Sequence, residues 1–451
     1  MHYSAFPVLA YGALFLGGGI LALALIVRED LVPEAIGGGG RRYFVGAALG
    51  FGLVSIAVKL TVIAMMSAFP RQVIDAQVPT VEQRTERADR MHEEAASPPT
   101  VVAPEQVPEA RKWRPLPGVA PAPPGNPTTP EKVALGSRLF NDANLSADRT
   151  VACASCHDVA AGAGDDGRAI AIGIAGQAGT RNAPTVFNAA FQSRLFWDGR
   201  VASLEQQAAG PFVNPVEMGM ASLDAVVARV RAEPRYRPLF DAAFGDRKPI
   251  TIDRIVAAIA AYERTLIAAD APYDRFVRGE ATALTQSQKR GMALFETLGC
   301  RRCHAGPNFS GASLVGPKAT FQPFAAHRSP RALAYRLGED KGRAGGTAKV
   351  GVFRVPSLRN VALTAPYFHN GAVTDLSEAV RIMAAAQLGI LVGDEGEPPR
   401  LEAHWSPETQ SLVTVERTRI DDSEVADIVA FLRALSDDRL AARARERQPD
   451  R

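Results

Sequence analysis

The sequence predicts an all-α protein: two similar helical domains set behind an N-terminal pair of membrane-crossing helices and a proline-rich tether. Three observations carry that prediction. The N-terminus holds two long runs almost free of charge, apolar residues beyond position 129 recur at helical spacing, and one short cysteine motif occurs twice, each time after a similar stretch. With 451 residues, 47% hydrophobic and 22% charged, the chain is long enough for several cores, and a net charge of +3 is too small to argue for nucleic acid.

Residues 1–70 read as a two-span hairpin. Ala5 to Val27 is 23 residues without a charge and Tyr43 to Met66 is 24 with only Lys59, each able to cross about 30 Å of hydrocarbon as a helix. The loop between them carries Arg28, Arg41 and Arg42, whereas no Lys or Arg precedes Ala5, so the loop is expected on the cytoplasmic side and the rest of the chain on the other. That predicts a chain anchored in a membrane, the inner membrane if the source is bacterial, with everything after Met66 on the periplasmic side. Residues 71–128 form the tether, strongly charged from Val81 to Glu94 and with eleven prolines from Pro98 to Pro130, a density that favours extended chain over a packed core.

Globular sequence is expected from 129. Thr129-Pro130-Glu131 offers a cap, a proline at the first helical position and an acid in the first turn. Ile252, Ile255, Val256 and Ile259 keep one helical face, as do Leu223, Val226, Val227 and Val230, and Val425, Ile428, Val429 and Leu432. Gly136-Ser137-Arg138-Leu139-Phe140 and Gly291-Met292-Ala293-Leu294-Phe295 form a weak repeat, and Thr285 with Gln288 opens the second copy as a capping box. The domains are therefore drawn at 129–275 and 276–436, with the last helix able to pack back on the first domain. Residues 390–418 read as an insertion in solvent and 437–451 as a disordered tail.

The chemistry lies in Cys153-Ala154-Ser155-Cys156-His157 and Cys300-Arg301-Arg302-Cys303-His304, which together use all four cysteines. Two thiols at this spacing followed at once by histidine are what covalent attachment of a c-type haem needs: thioether bonds from the cysteines and an axial imidazole. Disulfides or one tetrathiolate zinc site are the plainer alternatives, but neither needs a histidine after both pairs. The far side of each iron then decides the function, since a sulfur ligand makes an electron-transfer site and an open position a reactive one. Met383 is the candidate sulfur, although its apolar helical face with Leu376, Ala379 and Val380 equally suits a core residue.

The stretches RNAPTVFNAAFQSRLFWDGR from Arg181, GPFVNPVEMG from Gly210, GCRRCHAGPNFSG from Gly299, FRVPSLRNVALTAPYFHNGAV from Phe353 and EAVRIMAAAQLG from Glu378 resemble, in the same order, the signature blocks of bacterial di-haem cytochrome c peroxidases. The resemblance runs from about Glu131 to Gly389 and includes the helix Asp421 to Ser436. It implies cytochrome c-like domains with two covalently bound haem c groups. His157 would hold the peroxidatic haem, and His304 with Met383 the haem that accepts electrons. Glu217 matches the distal glutamate that assists peroxide cleavage, and Trp197 the tryptophan between the haems. Asn182 by its side chain, with Thr364 and Pro366 by their carbonyls, matches a calcium site, and His369 a histidine that supports haem packing. A homodimer is also expected.

One departure stands out. The residue seven before Arg181, where many relatives carry a histidine that caps the first haem at rest, is Ile174, and no histidine lies between His157 and His304. The first haem is therefore expected five-coordinate or water-bound when oxidised, with Met220 the remaining candidate ligand. Taken together, these features predict reduction of hydrogen peroxide to water by electrons from a small c-type cytochrome or a cupredoxin, with a quinol donor as alternative. Oxidation of a partner protein, as in methylamine dehydrogenase maturation, is the rival enzyme; the resemblance gives such enzymes a tyrosine at the Met383 position. A membrane-tethered electron carrier is the rival outside enzymes.

Overall fold

The computed structural model describes residues 71–74, 113–160, 162–316, 320–393, 402–406, 411–415 and 419–447. Both expected spans, 5–27 and 43–66, lie outside them. Among the described residues no helix is long and apolar enough to cross a membrane. The placement in the inner membrane is corrected on that finding.

Each half is built on one crossed pair of helices. In the first, α1 (Pro130–Phe140) starts at Thr129, whose side chain accepts from the Lys132 N–H, and buries Leu135, Gly136, Leu139 and Phe140. Helices α2 (Cys153–Cys156), α3 (Leu204–Val213), α4 (Leu223–Ala232) and α5 (Tyr236–Phe244) lead to α6 (Ile252–Glu263), which is capped by Thr251 and packs across α1. The crossing is close because position 136 has no side chain: a Cβ there would lie 1.9 Å from the Ala258 carbonyl oxygen.

A short helix α7 (Pro272–Val277) leads into the second half. There α8 (Gln286–Thr297) opens with the expected Thr285–Gln288 capping box, followed by α9 (Pro330–Ala334) and α10 (Leu376–Ile382). The partner of α8 is α11 (Asp422–Arg433), capped by Asp421 and Glu424, and a Cβ at Gly291 would meet the Asp427 carbonyl oxygen at the same 1.9 Å. The last helix of the second domain thus packs within its own half rather than back on the first. Residues expected as a frayed tail form α12 (Asp438–Arg447), with Leu440 buried.

The repeat runs deeper than the paired glycines. Asn188 and Asn360 both take left-handed backbone (φ 62° and 61°), as do Phe196 and Phe368 (φ 63° and 68°), and the small bridges Leu195–Val201 and Tyr367–Val373 close the same turn in each half. The two copies meet reciprocally: the Asn182 N–H donates to the His369 carbonyl (2.8 Å), and the Arg354 N–H, at the matching place, donates to the Trp197 carbonyl (2.9 Å). An approximate two-fold relation between the halves follows.

Three differences from the sequence expectation concern the edges. The tether does not run free to residue 128, because Trp113 and Leu116 are buried; Trp113 meets Tyr273, Phe309 and Phe431 edge-on or tilted at about 6 Å between ring centroids. Aromatic area of that size outweighs the local preference of its prolines for extended chain. The fold is not purely helical either. A hairpin pairs β2 (Phe321–Phe324) with β3 (Gly351–Arg354), and β4 (Leu391–Val392) runs parallel to β7 (Arg419–Ile420). The insertion, expected as a loop, carries β5 (Glu402–Ser406) and β6 (Ser411–Val415), which with β1 (Arg71–Ile74) make a separate three-stranded sheet in the order β1-β6-β5. His404 and Trp405 lie on β5.

Candidate active site

A single cavity of about 700 Å³ runs along both halves, within the range of cofactor sites. Its wall includes every residue assigned to the site from sequence: both cysteine pairs with His157 and His304, Glu217, Trp197, Met383, and Asn182 with Thr364 and Pro366. The four cysteines are free thiols, and burial pushes Cys153 and Cys300 up to about 12 and Cys156 to about 11. No group of three or more His, Cys, Asp or Glu among the described residues is placed to hold a metal, which removes the tetrathiolate alternative.

Both histidines are presented alike. The Cys153–Cys156 turn ends with the His157 N–H donating to the Cys153 carbonyl (2.9 Å), and the turn from Cys300 ends with the His304 N–H donating to the Cys300 carbonyl (3.0 Å). His157 Nδ1 lies 3.3 Å from the Gly164 carbonyl oxygen and His304 Nδ1 3.2 Å from that of Phe309. The tautomer that donates from Nδ1 leaves Nε2 as the lone-pair donor, the arrangement of an axial ligand with a fixed ring. Burial keeps both rings neutral, lowering His157 and taking His304 to about 4. Neutral imidazoles and apolar thiols on a cavity of this size fit thioether-bound haem.

The two halves contribute different side chains to the ends of the wall they line. Glu217 sits in the tight turn after α3, where the Asn214 side-chain amide donates to its Oε1 (2.7 Å) while Asn214 Oδ1 accepts from the Val216 N–H (3.1 Å). Burial raises the Glu217 carboxyl; the Arg200 charge and the Asn214 hydrogen bond oppose it. The loop at 173–177 is fastened to this turn: the Ile174 N–H donates to the Glu217 carbonyl (3.0 Å), and its side chain covers Gly219, where a Cβ would lie 2.1 Å from Ile174 Cδ1. Met220 is 5% exposed in the core of the first half, which accounts for it without iron ligation.

At the other end α10 passes into a π-helical turn, Met383–Gln387. The wider turn begins at Met383, which lies on the cavity wall with Leu376, Ala379 and Val380 from α10. Such turns are frequent where a helix presents a functional side chain.

Between the ends, the Trp197 indole donates to the Asn182 carbonyl (2.9 Å) and meets His369 edge-on at 6.3 Å. His369 stacks on Phe353 at 4.4 Å. Asn182 uses its amide nitrogen on the Arg168 carbonyl (2.8 Å), which leaves Oδ1 as a hard oxygen donor, and it lines the same cavity as Thr364 and Pro366. Sequence reasoning passed over Asn214, Arg200 and Glu263. Only Glu263 left a trace, as an acid on the apolar face that Ile252, Ile255, Val256 and Ile259 define.

The family model described as "Di-haem cytochrome c peroxidase" matches residues 130–282. The chain is 42% identical to the cytochrome c peroxidase Ccp of Escherichia coli (strain K12) over 60% of its own length, and spans 57% of that relative. It is 39% identical to the cytochrome c551 peroxidase of Pseudomonas aeruginosa, over 67% of this chain and 82% of the other. Among solved structures, a MauG-like protein associated with microbial copper homeostasis superposes with a TM-score of 0.58 at 31% identity, covering 75% of this chain and 97% of that one.

Proposed function

The chain belongs to the di-haem cytochrome c peroxidase family and is an enzyme of that class, and from this premise we propose that it reduces hydrogen peroxide to water with two electrons from an external donor, a small c-type cytochrome or a cupredoxin. The family implies two haem c groups. The observation that carries the reading is one cavity bordered by both cysteine motifs, with a hydrogen-bonded carboxylate at one end and a thioether at the other.

Bound through the cysteines, haem would supply an iron that takes peroxide in the first half and an electron relay in the second. His157 and His304 would be the residues that hold the two irons. Met383 would supply sulfur to the second, a ligand that favours the reduced state. Glu217 accepts a proton from one peroxide oxygen and returns it to the other, and the Asn214 hydrogen bond favours its charged form and aims it. Ile174 offers no donor atom in the place where a resting histidine would sit, so this loop would leave the first iron uncapped. Trp197 would serve as an oxidisable ring between the two sites, and Asn182, Thr364 and Pro366 would be the residues that hold calcium. The thioether of Met383 favours peroxide reduction over oxidation of a partner protein.

Peroxide turnover by the holoprotein with a reduced cytochrome c tests the reading. Glu217→Gln lowers kcat by about 10²–10⁴-fold with both haems retained; turnover equal to wild type removes Glu217 from its role. Chelation of calcium lowers turnover and Asn182→Ala reproduces the loss. An unchanged rate after complete calcium removal refutes that part.

A further inference from the structure

The two-fold relation exposes one exchange on the cavity wall. The atoms nearest the paired glycines belong to Ala258 and Tyr262 in the first half and to Asp427 and Phe431 in the second. The next residue along each helix is Glu263 in one half and Leu432 in the other, so these two hold the same place, and both lie on the wall. A leucine there is ordinary lining. Glu263 is 4% exposed, and its Oε2 has no hydrogen-bond partner, which is rare for a buried carboxyl and calls for a reason.

Its surroundings show where its charge acts. Arg264, next on the same helix, turns its guanidinium to Glu205 on α3 instead. Lys132 on α1 bonds to Asn126 (3.1 Å) and Tyr262 is the other titratable neighbour on α6. From the haem-binding turn, Cys153 feels Glu263 as the largest influence on its thiol after burial itself, whereas Cys300 in the second half feels no carboxylate.

We propose that Glu263 tunes the first haem alone: its carboxylate, buried beside Cys153, lowers that haem's reduction potential and couples it to pH, an influence Leu432 does not exert on the second. A fixed negative charge in a poorly polarisable wall stabilises the ferric centre over the ferrous one, which carries one positive charge less. When the first haem gains an electron from the donor, the carboxylate takes one proton from water; reoxidation returns the proton. Burial places the Glu263 carboxyl at about 8, with Arg264 lowering it and Glu205 raising it. The potential therefore falls as pH rises through that region. The inference rests on the haem-bound reading above.

The test is a spectroelectrochemical titration of each haem in the full holoprotein at pH values on either side of about 8, in wild type, Glu263→Gln and Glu263→Leu. The first haem's potential is expected to rise in both variants above that pH and to lose most of its pH slope, while the second haem keeps its wild-type value. A first-haem potential unchanged in Glu263→Gln overturns the proposal, and so does a wild-type potential flat across the range, which needs no variant. Haem content separates the two readings: a wild-type chain that carries no covalent haem refutes the peroxidase, whereas two haems with unshifted potentials refute only the role of Glu263.

Discussion

Asn214 donates to Glu217, the side chain proposed to move the peroxide proton, and its own carbonyl oxygen anchors the turn that carries it, accepting from the Glu217 and Gly219 N–H groups at 3.1 and 2.9 Å. A hydrogen bond to a carboxylate favours its charged form, so its loss raises the Glu217 pKa further above the usual carboxylate range. Because Glu217 must be ionised to accept the proton, Asn214→Ala moves the acid limb of kcat/KM to higher pH; an unmoved limb with reduced kcat would show that Asn214 only holds the turn. The cysteine motifs were legible because their chemistry is written in adjacent residues, whereas Glu217 was singled out only through the resemblance of its block to a family. Asn214 was not, since an asparagine before a proline reads as an ordinary turn. Glu263 was half legible: the apolar face of α6 was recognised, but that the face continued to 263 and met a cavity there was not.

At the scale of elements, the paired crossings depend on two glycines. Gly291→Ala adds a methyl group 1.9 Å from the Asp427 carbonyl oxygen, and the helices must part. The clash outweighs the gain in helix propensity, and a net loss of about 1–3 kcal/mol in unfolding free energy is expected, read from the denaturant midpoint of the holoprotein. A midpoint at or above wild type would mean the helices yield without cost. The helices themselves were legible from capping residues and apolar spacing, down to the Thr285–Gln288 box. The π-turn at Met383 was not, because Met-Ala-Ala-Ala-Gln favours a continuous α-helix and only packing around the cavity selects the wider turn. The strands of the insertion also escaped notice, for Glu402–Ser406 and Ser411–Val415 are short and flanked by charged residues.

For the molecule as a whole, one buried ion pair joins distant parts of the chain. Asp274 on α7 pairs with Arg359 (2.7 and 2.9 Å) and also accepts from the Leu116 and Ala271 N–H groups, with both charged side chains almost fully buried. Asp274→Ala leaves the guanidinium unpaired and loosens the segment at Leu116, with an expected loss of about 3–5 kcal/mol; a loss below about 1 kcal/mol would show that the pair organises nothing. The two-domain plan was visible in the repeated motif. Its two-fold symmetry was not, because the matching residues, Asn182 with Arg354 and Trp197 with His369, share position and backbone but not identity. On the proposed function, that symmetry makes equivalent sites that Glu217 in the first half and Met383 in the second would render unequal. Cyanide titration of the fully oxidised holoprotein, followed by electron paramagnetic resonance, tests it most directly. One haem is predicted to start high-spin and to bind cyanide while the other stays low-spin and unchanged; two low-spin haems that both refuse cyanide would contradict the account.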